Sequence, residues 1–349
     1  MVGYGENGSV VGPQNLPTNA VASGVWSLGE VAENLRGTRS WPGGPDITGG
    51  TRDESHGDGY IYEIFFASGT MEVTGNMTID LLVVGGGGSA TNAGTSNQSQ
   101  GGGGAAGWTG IDNLEIAAGS FNVVIGAGGA TGQYNSSDGG DSSVPILLQN
   151  GTTLLVGSGG GAKGGRGGIA QTSSGGTGRD APTTNNGVSY ASNVVGSPGG
   201  GGGGGVYAGN YSGGGGAGGS QKNAGAPGSP AAITIYYGAS GGTPANNQGN
   251  GGTGASGIGT NGNGQNNGTY QPPDGKGWHS YPAAAGANFT IFSAGGAAGY
   301  SGLLPSGNDY INDATSGSGN SQTYQKSVTG QNGTLVSTSG GIIIARFLA

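Results

Sequence analysis

LLVVGGGGSATNAG, residues 81–94, starts as a strand and then runs into four glycines where a turn needs one or two. A turn, a phosphate cradle, a flexible linker and a packed layer of glycine helices would each use such a run differently. The junction recurs. A β-branched or Leu pair meets Gly and then a glycine run in VVGGGG at 83, VIGAGG at 124, LVGSGGG at 155 and VVGSPGGGGGGG at 194. The residues closing the apolar pair, Val84, Ile125, Val156 and Val195, follow one another at intervals of 41, 31 and 39 residues. An unstructured linker has no reason to repeat its entry signal.

Composition alone points toward disorder. Of 349 residues 89 are Gly and 14 are Pro, and Leu, Ile, Val and Phe together number 56. That is less apolar bulk than ordinary folded domains carry. Net charge argues the other way, because −8 over this length is too little for self-repulsion to hold a chain open. From Ala181 to Pro273, Lys222 is the one Asp, Glu, Lys, Arg or His. Something other than an oily core must order such a stretch.

Glycine runs can supply that order. Each fixed Gly loses on the order of 1–2 kcal/mol of backbone entropy or somewhat more, so a run of seven, 199–205, needs many partners. Without Cβ, polyproline II-like helices of three residues per turn approach closely and hydrogen-bond sideways. Net gains of about 0.5–1.5 kcal/mol per bond then offset the entropy. The expected body is a stack of short glycine helices, with connecting loops protruding at the ends.

The rest of the chain reads as strands around that body. YIYEIFF at 60–66, TMEVT at 70–74 and TIDLLVV at 78–84, separated by turn signals, predict a small antiparallel meander. FNVVI at 121, VPILL at 144, TTLLV at 152, AITIYY at 232 and FTIF at 289 are further strand candidates. GIIIARFL at 341 predicts a strand that returns to close the sheet opened at 60. One short helix is expected near the N-terminus. Ser27 and Glu30 form a capping box, Leu28, Val31 and Leu35 share a face, and Gly37 can end the helix. About nine residues long, it must pack its stripe, with Trp26 and Trp41, on the body or on a partner. The expected fold is therefore mainly β with a polyglycine II-type helix sandwich and minimal α-helix. Residues 1–44 form an anchoring segment and 45–349 the glycine-rich domain, with a strand frame at 60–84 and 341–348 and the body and loops at 85–340.

In their order, TIDLLVVGGGG, GGGGAAGW at 101, FNVVIGAGGATG at 121, GGDSSV at 139, VVGSPGGGGGGG at 194 and SGGIIIARFL at 339 resemble the glycine-rich domain of many bacteriophage tail-fibre and virion-surface proteins. That family typically closes on a strand of Gly, hydrophobic residues, Arg and an aromatic, here Ile342 to Phe347. The stretch GSVVGPQNLPTNAVASGVWSLGEVAENLRGTRSWP resembles a leader on structural proteins of marine phages. The resemblance implies a polyglycine-helix sandwich like that of phage receptor-binding adhesins, with host specificity in loops at one end. It implies a virion-surface location, as tail fibre, adhesin, capsid decoration or head fibre. It implies other virion proteins as partners of the N-terminal segment, with Trp26, Leu28, Val31, Leu35 and Trp41 as anchoring candidates.

Loops rich in Tyr, Ser, Gly and Asn serve binding surfaces well, since rings give large contact at small entropic cost. VYAGNYSG offers Tyr207 and Tyr211, and NNGTYQPPDGKGWHSYP offers Tyr270, Trp278, His279 and Tyr281. They are the receptor-binding candidates, for a host surface glycan or an outer-membrane protein; alternatively the rings cover the glycine layers as a minor core. TRDESHGDGY gathers Asp53, Glu54, His56 and Asp58, a set that suits a hard cation but fits no established loop pattern and reads better as a solvated linker. No metal site or cofactor is expected.

Catalysis has little to draw on. His56 and His279 are the only histidines, Cys is absent, and G-x-S-x-G and H-E-x-x-H do not occur. Gly275-Lys276 is followed by Gly, so no P-loop forms. An enzyme is not expected. The acidic balance, 18 carboxylates against 10 Lys plus Arg, and a single GGRGG at 164–168 argue against a nucleic-acid partner. No secretory signal is read at the N-terminus and no apolar run reaches a membrane span, so synthesis in the host cytoplasm is expected. A homotrimer is compatible with a fibre role, although no heptads enforce one. An ice-binding glycine sandwich is a remote alternative, lacking here the strict G-X-X triplets it needs.

Overall fold

The computed structural model describes residues 44–54, 59–89, 103–130, 137–163, 176–190, 192–202 and 340–348, and the backbone of short strands elsewhere. The expected helix, with Trp26, Leu28, Val31, Leu35 and Trp41, lies outside the described residues. Among those described there is no helix, and the protein is mainly β. Its principal strands are β1 (Ile47–Thr48), β2 (Thr51–Asp53), β3 (Tyr60–Phe65), β4 (Gly69–Val73), β5 (Met77–Val84), β6 (Trp108–Ile116), β7 (Gly119–Val123), β8 (Ser142–Leu147), β9 (Thr153–Ser158), β10 (Thr184–Asn185), β11 (Val188–Ser189), β12 (Val194–Ser197), β13 (Ala232–Tyr236) and β14 (Ile342–Leu348).

Two layers face each other. One is a six-stranded sheet in the order β13-β6-β5-β14-β3-β2, antiparallel throughout. The other combines β12-β9-β8, in which β9 and β12 run parallel, with β7-β4-β1. Reciprocal bonds join its halves, Val124 N–H to Ser143 O and Ser143 N–H to Val124 O, both 2.9 Å.

The expected meander does not form. β3, β4 and β5 do not pair with one another: β4 joins β1 and β7 in the opposite layer, and β14 lies between β3 and β5. Residue pattern explains the choice. Ile343, Ala345 and Phe347 face the core between the layers while Ile342 and Ile344 belong to a second buried cluster on the opposite face. A strand apolar on both faces belongs in the middle of a covered sheet, where both edges are also paired.

The interlayer core takes Ile79, Leu81, Val83, Ile111, Leu114 and Ile116 from the first sheet and Met71, Phe121, Val144, Ile146, Leu154, Val156 and Val195 from the second layer. Ile111 and Leu114 both face inward although three residues apart. A bulge between Ile79 and Leu81 permits this, with Asn113 at φ 55° absorbing the extra residue. Asp80 secures the bulge by accepting from Asn113 N–H at 2.8 Å.

Asp80 also explains the arginine of the closing strand. Arg346 Nε and Nη2 each lie 3.0 Å from Asp80 Oδ2, and the guanidinium stacks 3.9 Å over the Tyr60 ring. Both partners are nearly buried, their side chains 12% and 11% exposed. One residue of β14 thereby locks strands on both its sides.

Around TRDESHGDGY the solvated-linker expectation needs correction, because residues 51–53 form edge strand β2 against β3. Arg52 organises the acids there. Its guanidinium bonds Asp46 and the Ile47 carbonyl, and its Nε lies 3.6 Å from Glu63 and 3.9 Å from Glu54. Burial lowers its pKa, but the Asp46 hydrogen bond and the charges of Asp46, Glu63 and Glu54 outweigh that and raise it. His56 and Asp58 lie outside the described residues.

Candidate functional site

At each of the four junctions a strand of the sandwich passes into a glycine segment. β5 continues as 85–89, β7 as 126–130, β9 as 159–163 and β12 as 198–202, while 103–107, 137–141 and 176–180 return. These segments are not ladders. Gly85 and Gly88 both donate to 103–107, at Gly107 and Gly104 (3.3 and 2.9 Å), whereas Gly86 and Ser89 both donate to 137–141, at Gly140 and Ser137 (2.9 and 3.2 Å).

The same interval recurs. Gly159 and Ala162 donate to Ser197 and Gly200, Gly104 and Gly107 to Ala162 and Gly159, and Gly176 and Arg179 to Lys163 and Gly160. Residues i and i+3 meet the same neighbour, which is the signature of a threefold polyglycine II-type helix rather than of a strand with period two. The segment 85–89 is bonded to 103–107, 126–130, 137–141 and 159–163, and 159–163 additionally to 176–180 and 197–200. Neighbours run both parallel and antiparallel, as this packing allows.

Glycine is required here for lack of bulk, not for its dihedral freedom. Among the described residues the glycines at positive φ are Gly49, Gly59, Gly151 and Gly187, none of them in the bundle. A Cβ on Gly86, Gly88, Gly160, Gly161 or Gly199 would instead overlap a neighbouring carbonyl, that of Ala127, Ala162, Gly139, Gly104 or Gly160 respectively.

Three hydroxyls seal the junction between oily core and glycine bundle. Thr109, Ser158 and Ser197 are fully buried. Thr109 Oγ1 donates to Gly157 O (2.9 Å), Ser158 Oγ to Val83 O (2.7 Å) and Ser197 Oγ to Ser158 Oγ (3.2 Å), while Ser197 N–H reaches Thr109 Oγ1 (3.0 Å). Every proton of the trio finds an acceptor, so the site is structural.

The functional candidate is the opposite end of the bundle. Bonds from Gly88 to Gly104, Ser89 to Ser137, Ser137 to Ala130, Gly176 to Lys163 and Gly202 to Gly176 bring the far ends of all these segments together. The connections 90–102, 131–136 and 164–175 therefore all leave and re-enter at one end. From them and the following segment come small paired strands: Val206–Tyr207 lies between Gln98–Ser99 and Tyr211–Ser212, with the Gly167–Thr172 hairpin beside them. Tyr207 stands directly opposite Tyr211 in this register. Their side chains, like Tyr270, Trp278, His279 and Tyr281, lie outside the described residues.

Sequence reasoning missed a second feature. A cleft of about 510 Å³ beside the junction is lined by Asp141, Arg179, Asp180, Thr183, Asn185 and Asn186, among others. Arg179 bonds Asp141 through both carboxylate oxygens, Nε to Oδ1 at 2.7 Å and Nη2 to Oδ2 at 3.0 Å. That hydrogen bonding, then the Asp141 charge, raises the Arg179 pKa. The signal in the sequence, one Asp and one Arg 38 residues apart among glycines, carries no period to read.

Among the described residues no group of three His, Cys, Asp or Glu is placed to hold a metal ion, and no helix is long and apolar enough to cross a membrane.

Fold and bundle together define a β-sandwich whose strands run on into a polyglycine stack. The model of the glycine-rich domain family matches residues 66–288, and the chain belongs to that family. No curated protein matches the chain. The folded unit exceeds the matched range, since β3 and β14 on either side of it supply two of the four inner strands of the first sheet.

Proposed function

We propose that the protein is a virion-surface structural component of a bacteriophage, a tail fibre or receptor-binding adhesin that attaches the particle to its host. The observation that carries this reading is the gathering of the glycine-segment connections at one end of a laterally bonded stack. Such a body is a stiff support for variable loops: its inward-facing glycines admit no Cβ, while its connections are free to change length and composition. The residues delivered there, TNAGTSNQSQ, TGQYNS and VYAGNYSG, are the small polar and tyrosine types that adaptable binding surfaces use. A host surface glycan or outer-membrane protein is the proposed ligand, and residues 1–44 are the proposed attachment to other virion proteins. The role is one of binding rather than catalysis.

Antibody labelling of intact particles, viewed by electron microscopy, tests the reading. Label on the tail or its fibres is expected. Label spread over the head would make the protein a capsid decoration or head fibre, and no label would remove it from the virion. Deleting residues 1–44 should abolish incorporation and leave the body folded.

A further inference from the structure

The cleft beside the junction has two walls that are fixed without help from a ligand. One is the glycine segment 176–180, held by Arg179 N–H on Gly160 O (3.1 Å) and by Gly199 N–H on Arg179 O (2.9 Å). The other is the β10–β11 hairpin, whose turn carries Asn186 at φ 46° and Gly187 at φ 81°. Asn185 nails that hairpin down. Only 4% exposed, its Nδ2 donates to Asn122 O (3.0 Å) and to Ser143 O and Oγ (both 3.1 Å), and its Oδ1 accepts from Asn122 Nδ2 (2.9 Å).

Between the walls stand donors and acceptors with capacity to spare. Asp141 Oδ1 accepts from Gly160 N–H (3.1 Å) as well as from Arg179, so the carboxylate and guanidinium are held in one plane from the bundle side. The Arg179 side chain is 48% exposed. Thr183 contributes its backbone carbonyl to the fold, accepting from Tyr190 N–H at 2.8 Å, and lines the cleft beside Asn186. Val124, Ala181 and Pro182 supply an apolar floor.

We propose that this cleft is a binding site for a neutral saccharide unit. Adjacent hydroxyls of a sugar each donate and accept, so a fixed carboxylate and guanidinium side by side satisfy a vicinal pair, and the apolar floor meets the C–H face of the ring. Asp141 and Asp180 against Arg179 leave the lining with one net negative charge, which disfavours uronic and sialic acids. The volume, about 510 Å³, falls in the roughly 300–1,000 Å³ of small-ligand sites and suits one or two rings. The cleft lies on segments 137–141 and 176–180 near the sandwich, away from the bundle end that carries Tyr207 and Tyr211, so it stands apart from the attachment reading.

Calorimetric titration of the full chain with glucose, galactose, mannose, N-acetylglucosamine, their disaccharides, glucuronic acid and sialic acid provides the test. Saturable binding of at least one neutral sugar is expected. It should weaken at least tenfold in both Arg179→Gln and Thr183→Val and persist in the Tyr207→Ser/Tyr211→Ser double variant. Among the described residues the Thr183 hydroxyl makes no hydrogen bond, so Thr183→Val reports on the cleft even where Arg179→Gln unfolds. Absence of saturation by any neutral sugar, equal binding by Thr183→Val, or preference for the acids would overturn the proposal. Sugar binding lost in the tyrosine variant alone would assign saccharide recognition to the bundle end instead.

Discussion

Substituting Gly161 by Ala is the sharpest probe of why the bundle is made of glycine. The new Cβ would overlap the Gly104 carbonyl, while Gly161 N–H donates to Gly86 O (2.9 Å) and its own carbonyl accepts from Gly139 N–H (2.8 Å). Relief requires segment 103–107 to retreat, which breaks Gly104 N–H to Ala162 O (2.8 Å) and strains Gly161 to Gly86. Two buried bonds left unmade cost about 1–3 kcal/mol each. Overpacking adds roughly 1–3 kcal/mol, and the stiffer unfolded chain returns about 0.4–1 kcal/mol. The expected loss is about 2–8 kcal/mol, a large share of the roughly 5–15 kcal/mol that holds a domain together. Gly69→Ala is the control. Nothing lies within 4 Å of a Cβ at Gly69 and its φ is not positive, so a change within about 0.5 kcal/mol is expected. Urea unfolding followed by tryptophan fluorescence measures both, with Trp108 buried at the junction as reporter. If the two variants unfold at the same midpoint, steric exclusion is not what selects glycine in the runs.

Three further outcomes are expected. Arg346→Met should cost about 3 kcal/mol by leaving Asp80 nearly buried without its cation, and Arg346→Met/Asp80→Leu should recover part of that in the same unfolding assay, the remainder being the Asn113 N–H left without its acceptor at the bulge. Ser158→Ala should cost about 1–3 kcal/mol by leaving Val83 O and the Ser197 hydroxyl buried without their partner, without altering sugar titrations, since the Ser158 hydroxyl serves groups inside the fold. Tyr207→Ser/Tyr211→Ser should slow adsorption of particles to host cells at least tenfold while thermal unfolding stays unchanged; normal adsorption would remove those two rings from the binding surface.

The glycine bundle was legible because its entry signal repeats and because glycine physics leaves few alternatives for an uncharged run. The returning strand at 342–348 was legible as well, from its unbroken apolar stretch. β6 escaped detection although it is the longest of the described strands. WTGIDNLEI places Ile111 and Leu114 three apart, which breaks the period of two, and only the bulge at Asn113 and Asp80 restores the phase. Pairing of β4 away from β3 and β5 was equally hidden, because local turn signals between strands do not say which layer the next strand joins. At the cleft, the Asp141 and Arg179 pair joins two segments, 137–141 and 176–180, that are both bonded to 159–163, a relation that no spacing along the chain encodes.

The place of β14 bears on synthesis. Between Val84 and Ile342, which pair directly, lie 257 residues. At about 5–20 residues per second a ribosome takes on the order of 10–50 s to cross that interval. Throughout it, β3 and β5 have emerged but the slot between them is empty, with Ile64 and Leu82 awaiting Ile344 as cross-strand neighbour. The nascent chain thus presents two open apolar strand edges for tens of seconds, a period in which a chaperone, or another nascent copy, competes with β14 for the slot. Slower growth of the host lengthens this exposure without changing a single contact of the finished protein.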